Sequence, residues 1–409
     1  MTERDPSEFD PDSDSDPAVD PDSGQSPDAA SDPGTDSETA ERNRQLVAAL
    51  LDGEHRALAR VISRIEDRAP GHRDLVSRLH SHTGHASVIG ITGSPGAGKS
   101  TLVDKLAAAY RDRGETVGVV AVDPASPYSG GSVLGDRIRM AATVGDMDVF
   151  VRSMSARGRL GGLSTATTDA VHALDAFGKD IVLVETVGAG QNEVDIVRTA
   201  DTVAVVVQPG SGDDVQMLKA GILEIGDVFV VNKADMDGVE RLLAELEEML
   251  HRRDPDGTSA GSAGGHHGAA APPGDADAAP EDSTAGSESD RPTWDSRVVT
   301  TIATAGEGID DLVEAFDAHA RYLRESGAGR ERARSRHAAE IRRLVREDTN
   351  VLLDAEIRRR GGLDALAQHV LTGDTDPYAI ASEIVAPLAD CLDADHARST
   401  PGHDSDGDA

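Results

Sequence analysis

Residues Gly93-Ser94-Pro95-Gly96-Ala97-Gly98-Lys99-Ser100 set a lysine and a hydroxyl directly behind a glycine-rich turn. That order suits a polyphosphate. Gly93 and Gly98 let the backbone curl so that successive N–H groups face phosphate oxygens. Lys99 then supplies a cation for the β- and γ-phosphates, and Ser100, followed by Thr101, offers its hydroxyl to Mg²⁺. The apolar run 88–91 reads as a buried strand and 100–113 as a helix, so the phosphates meet a helix N-terminus where free N–H groups favour anions.

About 130 residues downstream, Asn232-Lys233-Ala234-Asp235 ends a second apolar run, 227–231. A carboxylate at Asp235 accepts two hydrogen bonds from the N1–H and 2-amino group of guanine. Adenine carries an acceptor at N1 and no 2-amino group, so it would leave that carboxylate unpaired. Thr301-Ile302-Ala303, closing the run 298–302, is the expected last base element, its backbone N–H groups meeting the guanine O6.

Carboxylates between the two motifs suit a metal-bridged phosphate, because Mg²⁺ keeps several waters that must be held. Asp123 stands at the end of the strand run 117–122. Asp136 follows in the loop Ser126-Pro127-Tyr128-Ser129-Gly130-Gly131-Ser132 to Gly135-Asp136-Arg137, where metal binding and a helix N-cap are equal readings. Glu185 ends the run 181–184 and Gly188 comes three residues later, the pattern of a metal-side acid and a γ-phosphate amide. Gln191, Arg157 and Arg159 lie on neighbouring glycine-rich loops; water positioning is open to the glutamine, and transition-state charge, a partner interface or a plain solvated loop to the arginines.

Strand runs at 88–91, 117–122, 149–151, 181–184, 203–207, 228–231 and 298–302 alternate with helical runs near 100–113, 164–177, 213–225 and 238–253. Near-continuous apolar strands interleaved with helices predict an α/β fold with a mostly parallel sheet covered on both faces. Ligands of such sheets bind beyond the strands' carboxyl ends, where each motif falls. Residues 42–86 read as an N-terminal helical segment, 87–325 as the nucleotide-binding domain and 326–390 as a C-terminal helical segment. In the last, Ile341, Leu344, Val345, Leu352 and Ile357 share one face and arginines the other, which favours an oligomerisation or partner surface over packing on the chain's own core.

The chain has 409 residues and a formal net charge of −34. Residues 1–40, 254–293 and 391–409 carry net −12, −7 and −4, leaving −11 for the rest. These acidic segments are too polar to repay ordering entropy, so the domain plan treats 1–41, the insertion 254–293 and 391–409 as disordered; His266-His267 in the insertion lacks further ligands. The charge argues against a nucleic-acid binder and for a halophile's salt-rich cytoplasm. The single cysteine, Cys391, excludes intramolecular disulfides and a cysteine-rich metal site. The acidic N-terminus does not read as a signal peptide, and no apolar run is long enough to span a bilayer. A soluble cytoplasmic protein is expected.

The stretches Gly93-Ser94-Pro95-Gly96-Ala97-Gly98-Lys99-Ser100-Thr101-Leu102, Val122-Asp123-Pro124-Ala125-Ser126-Pro127-Tyr128-Ser129-Gly130-Gly131-Ser132-Val133-Leu134-Gly135-Asp136-Arg137 and Glu185-Thr186-Val187-Gly188-Ala189-Gly190-Gln191 resemble the MeaB/ArgK family of P-loop GTPases. The resemblance covers roughly 42–253 and 294–390. It implies GTP binding and hydrolysis with Mg²⁺, and a homodimer built through C-terminal helices. It further implies a chaperone of adenosylcobalamin-dependent methylmalonyl-CoA mutase that gates cofactor loading and protects or rescues that enzyme. Carried onto this chain, Lys99 and Ser100 serve phosphate and Mg²⁺, Asp123, Asp136 and Glu185 are switch carboxylates, and Asn232, Lys233 and Asp235 read guanine. The acidic insertion and Ile302, where the family has a small polar residue, depart from the pattern. A transport-linked ATPase or kinase would use adenine, against Asp235; a metallochaperone-type GTPase would need Cys or His ligands beside the nucleotide. A scaffold that binds nucleotide without turnover is the third alternative.

Overall fold

A computed structural model describes residues 33–123, 146–155, 165–186, 196, 199–210, 222–253 and 293–399. Seven strands are β1 Ser87–Gly93, β2 Val117–Asp123, β3 Val149–Ser155, β4 Ile181–Thr186, β5 Thr202–Val207, β6 Val228–Asn232 and β7 Arg297–Thr301. They form one sheet in the order β3-β2-β4-β1-β5-β6-β7, and every pairing is parallel. All seven match the runs expected from apolarity. Strand β1 lies between β4 and β5, with the chain leaving it in one direction for β2 and later crossing it to β5. That reversal opens a crevice at the carboxyl edge.

Alternation along the strands supplies two apolar faces. Ile89, Ile91, Leu183, Ala204, Val206 and Val230 pack with Leu102, Leu106 and Tyr110 of α4 (Lys99–Asp112) and with Leu312 and Phe316 of α7 (Ile309–Ser326). Val120, Val182, Val205, Phe229 and Val231 point the other way. They meet α2 (His55–Glu66), α3 (His72–His80), α5 (Thr165–Ala176) and α6 (Val239–Arg253). The ten described helices are completed by α1 (Pro33–Leu51), α8 (Ala328–Arg359), α9 (Gly362–Leu371) and α10 (Pro377–Ser399). Among the described residues no helix is long and apolar enough to cross a membrane.

One element differs from expectation. The N-terminal helical segment expected over 42–86 holds parts of three helices, and α1 begins at Pro33, inside the acidic stretch read as tail; proline at a first helical position loses no needed N–H. Helix α8 contains no buried residue, and Ile341, Val345, Val351 and Leu352 are exposed. It docks through arginines. Arg332 donates to both Asp227 carboxylate oxygens (2.8 and 3.1 Å) and Arg336 to Asp201 at 2.6 Å. The same carboxylates accept the Val203 and Val88 amides that start β5 and β1. The helix expected at 213–225 lies mostly outside the described residues; its end is a 3-10 turn, Ile222–Glu224.

Behind Asp227 sits His319, fully buried, with Nδ1 2.8 Å from the Thr202 hydroxyl and Nε2 3.3 Å from Asp227 Oδ1. Burial lowers its pKa to about 4, with Asp227 opposing. A buried neutral imidazole holds fewer protons than its unfolded counterpart between about pH 6.5 and 4, so its contribution is complete above 6.5 and lost as pH falls through that window. In urea titrations over this range, wild type is expected to lose on the order of 3 kcal/mol more than His319→Gln. Parallel pH profiles would contradict the assignment.

Candidate functional site

The phosphate loop joins β1 to α4, and its shape needs glycine at two places. Gly93 has φ 137°, and a Cβ there would stand 2.0 Å from the Val206 carbonyl oxygen. Gly98 caps α4 at φ 91°, where a Cβ would come 2.4 Å from Asn232 Nδ2. Gly93→Ala is therefore expected to cost about 3 kcal/mol or more, by steric conflict and an unfavourable φ; an unchanged urea midpoint would refute that tight passage of β1 past β5. Buried Ala97 and Ser94 line the loop, with Pro95 and Gly96 between them.

Lys99 is 6% exposed, and its Nζ donates to the Gly93 and Ser94 carbonyls at 2.7 and 2.8 Å. The amine thus stays folded over its own loop rather than extended outward. Ser100 Oγ donates to Glu185 Oε1 at 2.6 Å. This contact draws the last turn of β4 against the start of α4, and it puts two hard oxygen donors side by side. Beneath it the buried Thr186 hydroxyl donates to that of Thr92 at 3.0 Å, tying β4 to β1. Thr101 follows in the first turn of α4.

On the base side, β6 and β7 end together, Asn232 opposite Thr301. Asn232 is buried; its Nδ2 donates to the Ala97 carbonyl at 2.7 Å, and its Oδ1 accepts from Thr301 Oγ1 and the Ala303 amide at 3.0 and 3.1 Å. One amide thereby braces the phosphate loop against the loop after β7. Lys233, at φ 60°, adds a second tie: its Nζ donates to the Gly96 carbonyl at 2.8 Å and to Gln208 Oε1 at 2.7 Å. The Ala234 amide donates to the Thr301 carbonyl at 3.1 Å. Asp235 is exposed beyond this braced turn.

These contacts revise two expectations. Asn232, read as a guanine contact, spends its side chain on protein partners, so it shapes the site. The amides of Ile302 and Ala303, expected at guanine O6, donate to the Glu307 carbonyl (3.0 Å) and to Asn232. The exposed Thr304 amide is the next in line, and it has no partner among the described residues.

Asp123 closes β2 at the same edge, one residue past the Val122–Thr186 pair; its side chain lies outside what the structure describes. Asp136, Gly188, Gln191, Arg157 and Arg159 also fall outside the described residues. Four residues that sequence reasoning gave no role, Thr92, Thr186, Gln208 and Thr304, belong to the assembly. Their positions at or just past strand ends are the only signal that could have found them.

Mg²⁺ fits the donor set. Ser100 and Glu185 offer paired oxygens beside a phosphate cradle, with no sulfur or imidazole among them, the chemistry a hard cation selects.

A parallel sheet with this loop between its first strand and helix, at the crevice where strand order reverses, is a P-loop nucleoside-triphosphatase fold. A solved LAO/AO transport system kinase shares the fold, with a TM-score of 0.52 at 22% identity, covering 88% of this chain and all of that one. The family model described as methylmalonyl Co-A mutase-associated GTPase MeaB matches residues 58–357, and the chain belongs to the MeaB family of GTPases. It is similar to a GTPase of Pyrococcus abyssi, 41% identical over 344 residues, spanning 84% of this chain and 96% of that one. It is also similar to the mitochondrial methylmalonic aciduria type A homolog of Mus musculus, 28% identical over 295 residues, 71% of this chain and 62% of that one.

Proposed function

We propose that this chain hydrolyses GTP with Mg²⁺ as a slow switch and serves as a chaperone of adenosylcobalamin-dependent methylmalonyl-CoA mutase. The observation that carries the reading is the Asn232 brace: it couples the phosphate loop to the loops that would hold the base, so one crevice has both a triphosphate end and a purine end. Lys99 leaves its two carbonyls to neutralise the β- and γ-phosphates. Mg²⁺, held by Ser100 with Glu185 and Asp123 in support, would neutralise charge developing on the phosphates. Asp235 accepts from guanine N1–H and the 2-amino group, and the Thr304 amide meets O6. Water attacks the γ-phosphorus, the bond to the β-phosphate bridge oxygen breaks, and the leaving phosphate removes the anion around which Lys99 and the loop after Glu185 are arranged. Asp136 and Gly188 are assigned to that same phosphate end.

Membership of a family named for association with the mutase supports the partner, as does the relative named for methylmalonic aciduria. The exposed apolar residues Ile341, Val345, Leu363, Leu371 and Tyr378 on α8 to α10 support a homodimer through the C-terminal helices. A salt-rich cytoplasm accounts for the net charge of −34. GTP turnover measured with and without the organism's mutase tests the partner: faster turnover in the complex supports it, and turnover indifferent to the mutase removes it while leaving the GTPase.

A further inference from the structure

Away from the nucleotide crevice, α8 runs antiparallel along α5. Arg343 and Glu347 both reach the Thr165 hydroxyl at the start of α5, and Glu340 lies beside His172 further along it. The facing surfaces carry complementary pairs at i,i+3 spacing, Asp169-x-x-His172 on α5 and His337-x-x-Glu340 on α8. Side chains so spaced share one helix face, and inward carboxylate-x-x-His pairs on facing helices are a known way of building metal sites. One ligand atom each from Asp169, His172 and Glu340 lies within 4.8 Å of the other two. His80 of α3 closes the cluster, its ring centroid 5.8 Å from that of His172 and 5.5 Å from that of His337. His337 Nδ1 in turn is 3.7 Å from Glu340 Oε2.

One member of this cluster lacks the partner that burial demands. His172 Nδ1 is sealed from solvent and has no hydrogen-bond partner among the described residues. Asp169 beside it is 6% exposed. Buried polar groups are almost always satisfied, and each exception needs a reason. Surrounding charge does not supply one: Arg343 and Arg68 face Asp169, but so do Glu340 and Glu347.

We propose that Asp169, His172 and Glu340 form a binding site for one divalent transition-metal ion of the Zn²⁺ class, joining α5 to α8. Two carboxylate oxygens and an imidazole nitrogen are a borderline donor set, suited to Zn²⁺ and its first-row neighbours rather than to Ca²⁺. Ligand bonds of about 2.1 Å in a tetrahedron leave ligand atoms roughly 3.4 Å apart, so the three side chains close by small rotations. His337 or His80 can complete the shell. The ion would fix α8 to α5, adding to the Arg332, Arg336 and Arg343 contacts and the Thr165–Glu347 hydrogen bond.

Full-length protein is stripped with chelator, saturated with GDP and Mg²⁺ to fill the nucleotide site, and titrated with Zn²⁺ against a chromophoric chelator. Co²⁺ serves as the spectroscopic probe. One tight Zn²⁺ per chain is expected, with visible Co²⁺ absorption of low coordination number. His172→Gln and Glu340→Gln should each weaken it by more than about 100-fold, beyond the loss of an outer-shell partner. A variant lacking the His266-His267 pair should bind as the parent does. Partly exposed Glu340 reports even where His172→Gln fails to fold. Absence of a tight ion in the parent, or undiminished affinity in Glu340→Gln, overturns the site.

Discussion

Replacing Lys99 by alanine is expected to lower kcat/KM for GTP by about 10³-fold, the scale on which a positioned charge stabilises a phosphoryl or acyl transition state. The expectation follows from where the amine is held. Nζ bonds the Gly93 and Ser94 carbonyls at the mouth of the loop, so a small movement carries it to a phosphate, while the Lys233 ammonium is tied to the Gly96 carbonyl and Gln208. Truncation also leaves those two carbonyls without their donor, so thermal unfolding must be recorded alongside. A modest fall in Tm with GTP hydrolysis gone is the expected pattern. Hydrolysis within tenfold of wild type in a folded variant would remove Lys99 from the phosphate site.

Asp235→Asn should invert base selectivity. In the proposed site the carboxylate accepts twice from guanine, and an amide would instead donate once, matching the 2-oxo group of xanthine. GTP affinity should fall on the order of 10³-fold while xanthosine triphosphate gains, because an unpaired polar group in a covered site is costly. Competition of the two nucleotides against a fluorescent GDP analogue measures both at once. The braced turn makes the experiment clean: Ala234 and Asn232 hold the loop through Thr301 and Ala97, so changing exposed Asp235 does not disturb it. Unchanged selectivity would exclude Asp235 as the base reader.

All seven strands were legible in the sequence because both faces of the sheet are covered, which forces near-continuous apolar runs. Helices α4, α5 and α6 were legible because each lies between two such strands. The start of α1 was hidden by the acidic composition around Pro33, and the arginine docking of α8 could not be read from its periodicity. Arg332 and Arg336 hold it to Asp227 and Asp201, while its apolar stripe faces outward. The site divided along similar lines. Phosphate-loop chemistry is local and could be read from residues 93–100. The Asn232 brace depends on β6 and β7 ending side by side against the phosphate loop, a fact of sheet order rather than of any four-letter motif. Asp169, His172 and Glu340 meet only because α8 folds back across α5.

The central claim, one crevice that takes a guanine triphosphate, is tested most directly by measuring Mg²⁺-dependent binding of GTP and ATP to the full-length protein in potassium-rich buffer, with phosphate release followed in the same samples. Binding of GTP at least about 10³-fold tighter than ATP, with phosphate released from GTP, is the predicted result. Equal or tighter binding of ATP would contradict it.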